Sequence, residues 1–286
     1  MDRRIIELYD EYTHRPLARR TFIERLAVLA GGSAAAMALL PLLDNNYANA
    51  ATVNADDPRL DSSHITFKGA SGDVRAYLVV PKQAPAKRAG VIVIHENRGV
   101  NPHIEDVARR VALEGYTALG VDLLSPFGGT PTDEDQARDR FAKIDRAVAV
   151  NDLVAAVAYL KSRPDSNGKV GAIGFCFGGG MANLLATAAP DLTADVAYYG
   201  QQPSAAEAAK IKAKLLLHYA GNDRNIDAGI PQYEAALKSA GVDYRIYMYE
   251  GVEHGFNNDT AGVRYNKPAA DLAWSRTVTF LKSTLA

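Results

Sequence analysis

Val170-Gly171-Ala172-Ile173-Gly174-Phe175-Cys176-Phe177-Gly178-Gly179-Gly180 is a short apolar run that passes through Gly-x-Cys-x-Gly into a glycine-led helical stretch. A strand that turns this sharply into a helix leaves no room for bulky side chains two residues before and after the turning residue, and Gly174 and Gly178 meet that need. This is the nucleophile-elbow pattern with sulfur in place of hydroxyl. In such a turn the backbone N–H of Phe177 faces the carbonyl oxygen of a bound acyl group as one oxyanion donor. The positive end of the following helix lies beneath Cys176 and favours thiolate. Taken alone, the pattern also suits an inert buried thiol, because free cysteine is among the most buried residue types. Cys176 is the only cysteine in the chain, so neither an intramolecular disulfide nor a multi-cysteine zinc site can form.

Outward from the elbow, short β-branched runs alternate with helical-period stretches. The pattern predicts strands at Gly90 to His95, Thr117 to Val121, Val170 to Gly174, Asp195 to Tyr199, Lys214 to Tyr219 and Tyr244 to Tyr249. Helices are predicted at Ile104 to Leu113, Asp133 to Ser162, Gly179 to Ala188, Pro231 to Ala240 and Pro268 to Leu285. An opening hairpin, His64 to Lys68 and Val74 to Val80, turns at Gly69-Ala70-Ser71-Gly72. Alternation of this kind builds a mostly parallel sheet with helices on both faces, and its sites gather at the carboxyl ends of the strands.

Two further residues stand just past predicted strand ends. Asp223 closes Ala220-Gly221-Asn222-Asp223, and His254 sits in Gly251-Val252-Glu253-His254-Gly255-Phe256. Each alone reads as a turn aspartate or a surface histidine. Together with the elbow they fall in the chain order nucleophile, acid, histidine, which is the order of the α/β-hydrolase fold. His95, His103 and His218 are weaker bases because none follows the last strand, and His218 reads as a packed strand residue.

The 286 residues are 48% apolar and 23% charged, the balance of a globular chain with one large domain. Lys plus Arg (32) nearly cancels Asp plus Glu (33), which leaves no global field to draw the chain onto nucleic acid. At the N-terminus, Arg19-Arg20-Thr21-Phe22-Ile23 precedes an Ala/Gly/Leu-rich stretch from Ala27 to Leu43, the layout of a twin-arginine export signal. Ala48-Asn49-Ala50 supplies small residues for cleavage after Ala50. Residues 1–50 are therefore expected to be a leader read by the export machinery, and residues 51–286 a periplasmic or secreted hydrolase domain. The apolar stretch is shorter than a spanning helix and is broken by Gly31, Gly32 and Pro41, so no stable membrane insertion is expected after cleavage. Residues 1–18 read as a polar lead-in, long for such a signal.

The combined motifs resemble the dienelactone hydrolase family: the Gly174-Phe175-Cys176-Phe177-Gly178-Gly179 elbow, Tyr198-Tyr199-Gly200, Gly221-Asn222-Asp223, Glu253-His254-Gly255-Phe256, and His95-Glu96-Asn97-Arg98-Gly99. The similarity runs from about Ser63 to the C-terminus. The resemblance implies an α/β-hydrolase fold and hydrolysis of a small ester or lactone through a cysteine acyl-enzyme, with no metal or organic cofactor. It also implies that Glu96 contacts the resting thiol and accepts its proton, and that the N–H of Asn97 is the second oxyanion donor. A neighbouring carboxylate is chemically able to take a thiol proton, but Glu96 also suits an ion pair with Arg98 or another cation. Family members that take dienelactone hold its carboxylate with an arginine four residues after the histidine, and here that residue is the neutral Asn258. Arg98, Arg138 or Arg140 could supply the charge, so Asn258 and Arg98 are the candidate substrate-binding residues. The competing function is a non-catalytic binding protein on the same scaffold; it ordinarily lacks a triad member, and this chain has all three. A thiol-redox enzyme needs a resolving cysteine, which this chain does not contain.

Overall fold

The hairpin at 69–72 closes with two residues in the turn, pairing Gly69 with Gly72 across β1 (Leu60–Gly69) and β2 (Gly72–Pro81). The computed structural model describes residues 1–14, 17–46 and 52–286. The cleavage residues Ala48 to Ala50, and Ala51 as the first residue after the cut, lie outside the described residues.

Beyond the hairpin run β3 (Arg88–Ile94), β4 (Thr117–Val121), β5 (Ser166–Phe175), β6 (Ala194–Tyr198), β7 (Lys214–Ala220) and β8 (Tyr244–Tyr249). They form one eight-stranded sheet in the order β1-β2-β4-β3-β5-β6-β7-β8. β2 is antiparallel to β1 and β4, and the rest of the sheet is parallel. The strand period of two divides the core: Ile92 and Ile94 pack on one face, and Ala89, Val91 and Val93 on the other. Both faces are covered, as the α/β-hydrolase fold requires.

The helices are α1 (Arg3–His14), α2 (Arg19–Ala30), α3 (Ser33–Leu43), α4 (Pro102–Leu113), α5 (Glu134–Phe141), α6 (Arg146–Ser162), α7 (Phe177–Ala188), α8 (Ala205–Ala208), α9 (Arg224–Asp227), α10 (Ile230–Ala240) and α11 (Lys267–Leu285). The single helix expected from Asp133 to Ser162 is two. Asp145 breaks it by capping α6, its Oδ1 accepting from the N–H of Ala147 at 2.8 Å and of Val148 at 3.2 Å.

The segment expected as a leader is folded onto the α/β domain. Residues 1–18 are not merely a polar lead-in: Ile5, Leu8, Tyr9 and Tyr12 recur at helical spacing along α1 and bury against Phe22 and Leu26 of α2 and Leu40 and Leu43 of α3. α2 and α3 meet at 110° at Gly31 and Gly32, both with positive φ, and no single helix among the described residues is long and apolar enough to cross a membrane. Arg19 pairs with Asp135 at 2.9 Å, and Arg138 of α5 lies over the Tyr12 ring at 4.5 Å.

Candidate active site

Five neighbouring strands deliver the site. Glu96 follows β3, Cys176 follows β5, Tyr199 follows β6, Asp223 follows β7 and His254 follows β8, and the strands pair in that order across the sheet. Parallel register brings their carboxyl ends to one edge, which is why residues so far apart in sequence meet.

Cys176 sits at φ 56° and ψ −116°, a conformation that costs a non-glycine residue about 1–3 kcal/mol and is held by its surroundings. The strand and helix on either side supply that hold: Cys176 N–H donates to Tyr198 O at 3.0 Å, and Gly180 N–H donates to Cys176 O at 3.1 Å. A methyl on Gly174 would run into the Gly178 carbonyl, and one on Gly178 into the Ile94 carbonyl. The glycines are therefore steric necessities of the turn. Phe177 is the first residue of α7, where helical N–H groups have no partner within the helix.

Asp223 divides its carboxylate between two tasks. Oδ1 accepts from Ile226 N–H at 3.4 Å as the cap of α9, and Oδ2 takes a short hydrogen bond from His254 Nδ1. Capping and triad geometry coexist here because a carboxylate has two oxygens. The acid and base loops are tied together by Asn222, whose Nδ2 donates to Glu253 Oε1 at 2.7 Å and whose N–H donates to Val252 O at 3.0 Å. With Nδ1 committed to Asp223, Nε2 of His254 is the ring nitrogen left to serve the thiol, and His254 and Cys176 line the same cavities. Burial opposes the imidazolium, but Cys176 and Asp223, through charge and hydrogen bonds, raise the His254 pKa well above its ordinary value. The constellation places a carboxylate, an imidazole and a thiol at one edge of the sheet.

Glu96 is braced by neutral donors. Oε1 accepts from Tyr199 OH at 3.3 Å and Oε2 from Asn258 Nδ2 at 2.6 Å. Tyr199 reaches it because its backbone turns to φ 39° at the end of β6, and its ring lies 4.9 Å from that of His254. Asn258 lies behind Glu96 and away from the cavity lining, with its Oδ1 taken by Thr260 N–H and Oγ1 at 2.9 and 2.7 Å. Arg98 is buried and pairs with Glu134 at 3.7 Å rather than with Glu96. Arg140 donates to Gly129 O at 2.7 Å. A further cation on the smaller cavity is Arg264, which sequence reasoning passed over because it stands in a short turn ten residues beyond His254.

His218, His95 and His103 are spoken for. His218 bonds Thr277 Oγ1 at 3.1 Å and Tyr249 OH at 2.9 Å, and burial lowers its pKa to about 3. His95 Nδ1 donates to Glu96 O at 2.5 Å while Nε2 accepts from Leu123 N–H at 3.1 Å. His103 pairs with Asp259 at 2.8 Å.

Two cavities meet at the Cys176–His254 pair. The outer one, about 710 Å³, is walled by Phe177, Tyr199, Gln202, Asp223 and Ile226, and by Glu7, Asp10 and Glu11 of α1. The inner one is about 20 Å³ and is lined by Glu96, Asn97, Arg98 and Arg264 together with Tyr9, Thr13 and Asn45 of the N-terminal segment. Asn97, the expected oxyanion residue, thus stands beside the thiol, and its side chain donates to Thr13 O at 2.7 Å.

Residues 74–285 match the family model described as the Dienelactone hydrolase family. The chain belongs to that family. A relative from Saccharolobus solfataricus, provisionally named a carboxymethylenebutenolidase, is 32% identical over 76% of this chain and 97% of its own length. Another of the same provisional name, from Methylorubrum extorquens, is 30% identical over 92% of this chain and 94% of its own. That coverage exceeds what residues 51–286 alone could supply, so its similarity runs into the N-terminal helices. Among solved structures, a provisionally assigned dienelactone hydrolase from Klebsiella pneumoniae superposes with a TM-score of 0.70 at 25% identity, covering 78% of this chain and 98% of that one. Within the dienelactone hydrolase family, this member has Asn258 committed to Glu96, and its inner cavity takes its buried cations from Arg98 and Arg264.

Proposed function

We propose that this chain hydrolyses a small carboxylic ester or lactone through an acyl-enzyme on Cys176. The observation that carries the reading is the hydrogen-bonded pair Asp223 and His254 lining the same cavities as Cys176, which sits at a strained elbow. In this reading Glu96 takes the thiol proton, and the thiolate attacks the substrate carbonyl and forms a C–S bond. The N–H groups of Phe177 and Asn97 receive the developing oxyanion. Collapse breaks the C–O bond, and the proton held on His254 goes to the leaving alkoxide. Water then attacks the thioester with His254 as base, the C–S bond breaks to release the acid, and Glu96 returns its proton to the thiolate. In a lactone the alcohol stays attached to the acyl group. An outer cavity of about 710 Å³ lies within the roughly 300–1,000 Å³ usual for small ligands. The provisional names of the relatives support a lactone among the substrates.

Iodoacetamide is expected to inactivate the protein with one adduct on Cys176, the sole cysteine. Mass spectrometry of the alkylated chain, read against residual turnover of a short aryl ester, checks it. Full turnover by fully alkylated protein would rule the mechanism out.

We also propose that the chain is exported through its paired arginines. Arg20 is exposed at the head of α2, and the apolar α2–α3 pair follows it. Replacing Arg19 and Arg20 by lysine is expected to leave uncleaved precursor in the cytoplasm, seen by fractionation. Normal maturation of that variant counts against the proposal.

A further inference from the structure

Tyr199 has a backbone that a tyrosine adopts only under constraint. Apart from Cys176 it is the one non-glycine residue with positive φ among the described residues, at 39°. Such a conformation persists where its surroundings hold it, and is a reason to ask what the side chain does. Tyr199 N–H donates to His218 O at 2.7 Å, and a methyl on the adjacent Gly200 would run into the Gly179 backbone, so the end of β6 is pinned against α7. The turn delivers a fully buried phenol to Glu96, with its ring 4.9 Å from that of His254 and 5.5 Å from that of Phe256.

The two oxygens of Glu96 have partners of different kinds. Oε2 accepts from Asn258 Nδ2 at 2.6 Å, and that amide cannot reverse, because its Oδ1 already takes Thr260 N–H and Oγ1. An NH₂ group only donates, so a proton on Oε2 would face another hydrogen. Oε1 meets the Tyr199 hydroxyl at 3.3 Å, longer than the roughly 2.5–3.0 Å usual for O–H···O. A hydroxyl both donates and accepts, and it rotates to suit. Burial first, and then the charge of Glu96, hold the Tyr199 pKa well above its ordinary value, so the phenol keeps its own proton. The other titratable or charged groups around Glu96 are His95 beside it, Cys176, His254, Arg98 and Arg264 on the inner cavity, and Tyr9 of α1, with Asp10 reaching Arg264.

We propose that Tyr199 is a positioning residue that makes Oε1 of Glu96 the oxygen on which the Cys176 proton is stored. The S–H bond breaks, its electron pair stays on sulfur, and an O–H bond forms at Oε1. The Tyr199 hydrogen then turns away and its oxygen accepts from the new O–H, so the proton is held off the thiolate until deacylation. This rests on the reading of Glu96 as the proton acceptor in the hydrolase mechanism above.

The test uses the full chain and the pH profile of Cys176 alkylation by iodoacetamide, which needs no ester to turn over. Tyr199→Phe keeps the ring against His254 and removes only the hydroxyl. The carboxylate loses a donor, so the acid limb of the profile is expected to move up by about one pH unit, a roughly tenfold slower reaction on that limb. In a Glu96→Gln background the same change is expected to move nothing. Asn258→Asp sets an acceptor against Oε2, so the two carboxyl groups share one proton at rest and Glu96 cannot take another; alkylation near neutral pH is expected to fall about tenfold or more. Thermal melts on each variant exclude misfolding as the cause, and Asn258→Asp keeps the test decisive if Tyr199→Phe does not fold. An acid limb that stays in place in Tyr199→Phe, or that moves equally without Glu96, would overturn the assignment, as would parent-like alkylation in Asn258→Asp. Turnover of 4-nitrophenyl acetate is followed in parallel. Alkylation profiles that move as expected while no ester turns over leave the role of Tyr199 standing and defeat the hydrolase reading instead.

Discussion

Cys176→Ala is expected to bring turnover of aryl esters and lactones down to background, a loss of about 10⁴-fold or more, because removing the nucleophile of a triad leaves only binding and oxyanion stabilisation. The chain has no second cysteine, so no neighbouring thiol can substitute. The variant should still fold. Alanine is smaller than cysteine, and the turn conformation is held by the backbone bonds of residues 176 and 180 and by the glycines at 174 and 178, all of which remain. A second signature follows from the electrostatics of the pair. Burial works against the His254 imidazolium, and Cys176 is the largest of the interactions that raise its pKa. Deleting the thiol removes that contribution, so the pKa of His254 falls. Ring-proton NMR across a pH titration of both proteins reads that shift. Measured turnover in Cys176→Ala, above that of a blank, would mean that the acyl group never rests on this sulfur.

Glu96→Gln is expected to lower kcat/KM by about 10²–10⁴-fold, the usual cost of removing a proton acceptor. The variant is informative because the pocket can accept the amide. Its carbonyl oxygen can take the Asn258 Nδ2 donor now on Oε2, and its NH₂ can donate to the Tyr199 hydroxyl, which is able to accept. The Tyr199 hydroxyl proton must then find another partner, so stability is expected to fall by only about 1 kcal/mol. Glu96 and His254 both share the inner cavity with Cys176. If His254 alone receives the thiol proton, kcat/KM is unchanged and only the melting temperature moves. That result would assign Glu96 to holding Tyr199 and Asn258 in place.

How much of this was legible beforehand depends on whether the signal was local. Strand ends carry their own signals, in apolar runs that stop at glycine or aspartate, and β4 and β8 begin and end where the pattern placed them. The break at Asp145 was also a local signal, since an aspartate two and three residues ahead of the N–H groups it accepts is an N-cap, but the apolar period ran across it. The amphipathic spacing of Ile5, Leu8, Tyr9 and Tyr12 was present in the chain too. It was overshadowed by the arginine pair that follows.

The sequence by itself determined the α/β-hydrolase fold, the sharp turn at Cys176 and the strand-end positions of Asp223 and His254, because each is written in a few adjacent residues. Only the tertiary structure decided which groups surround the thiol. Asn258 braces Glu96, Arg98 pairs with Glu134, and Arg264 stands in the chamber under Tyr9 and Asp10. These meetings join residues 36 to more than 250 positions apart. A side chain's spacing in sequence says where it leaves the backbone, whereas its partner is set by which strand ends and helices the sheet order brings together.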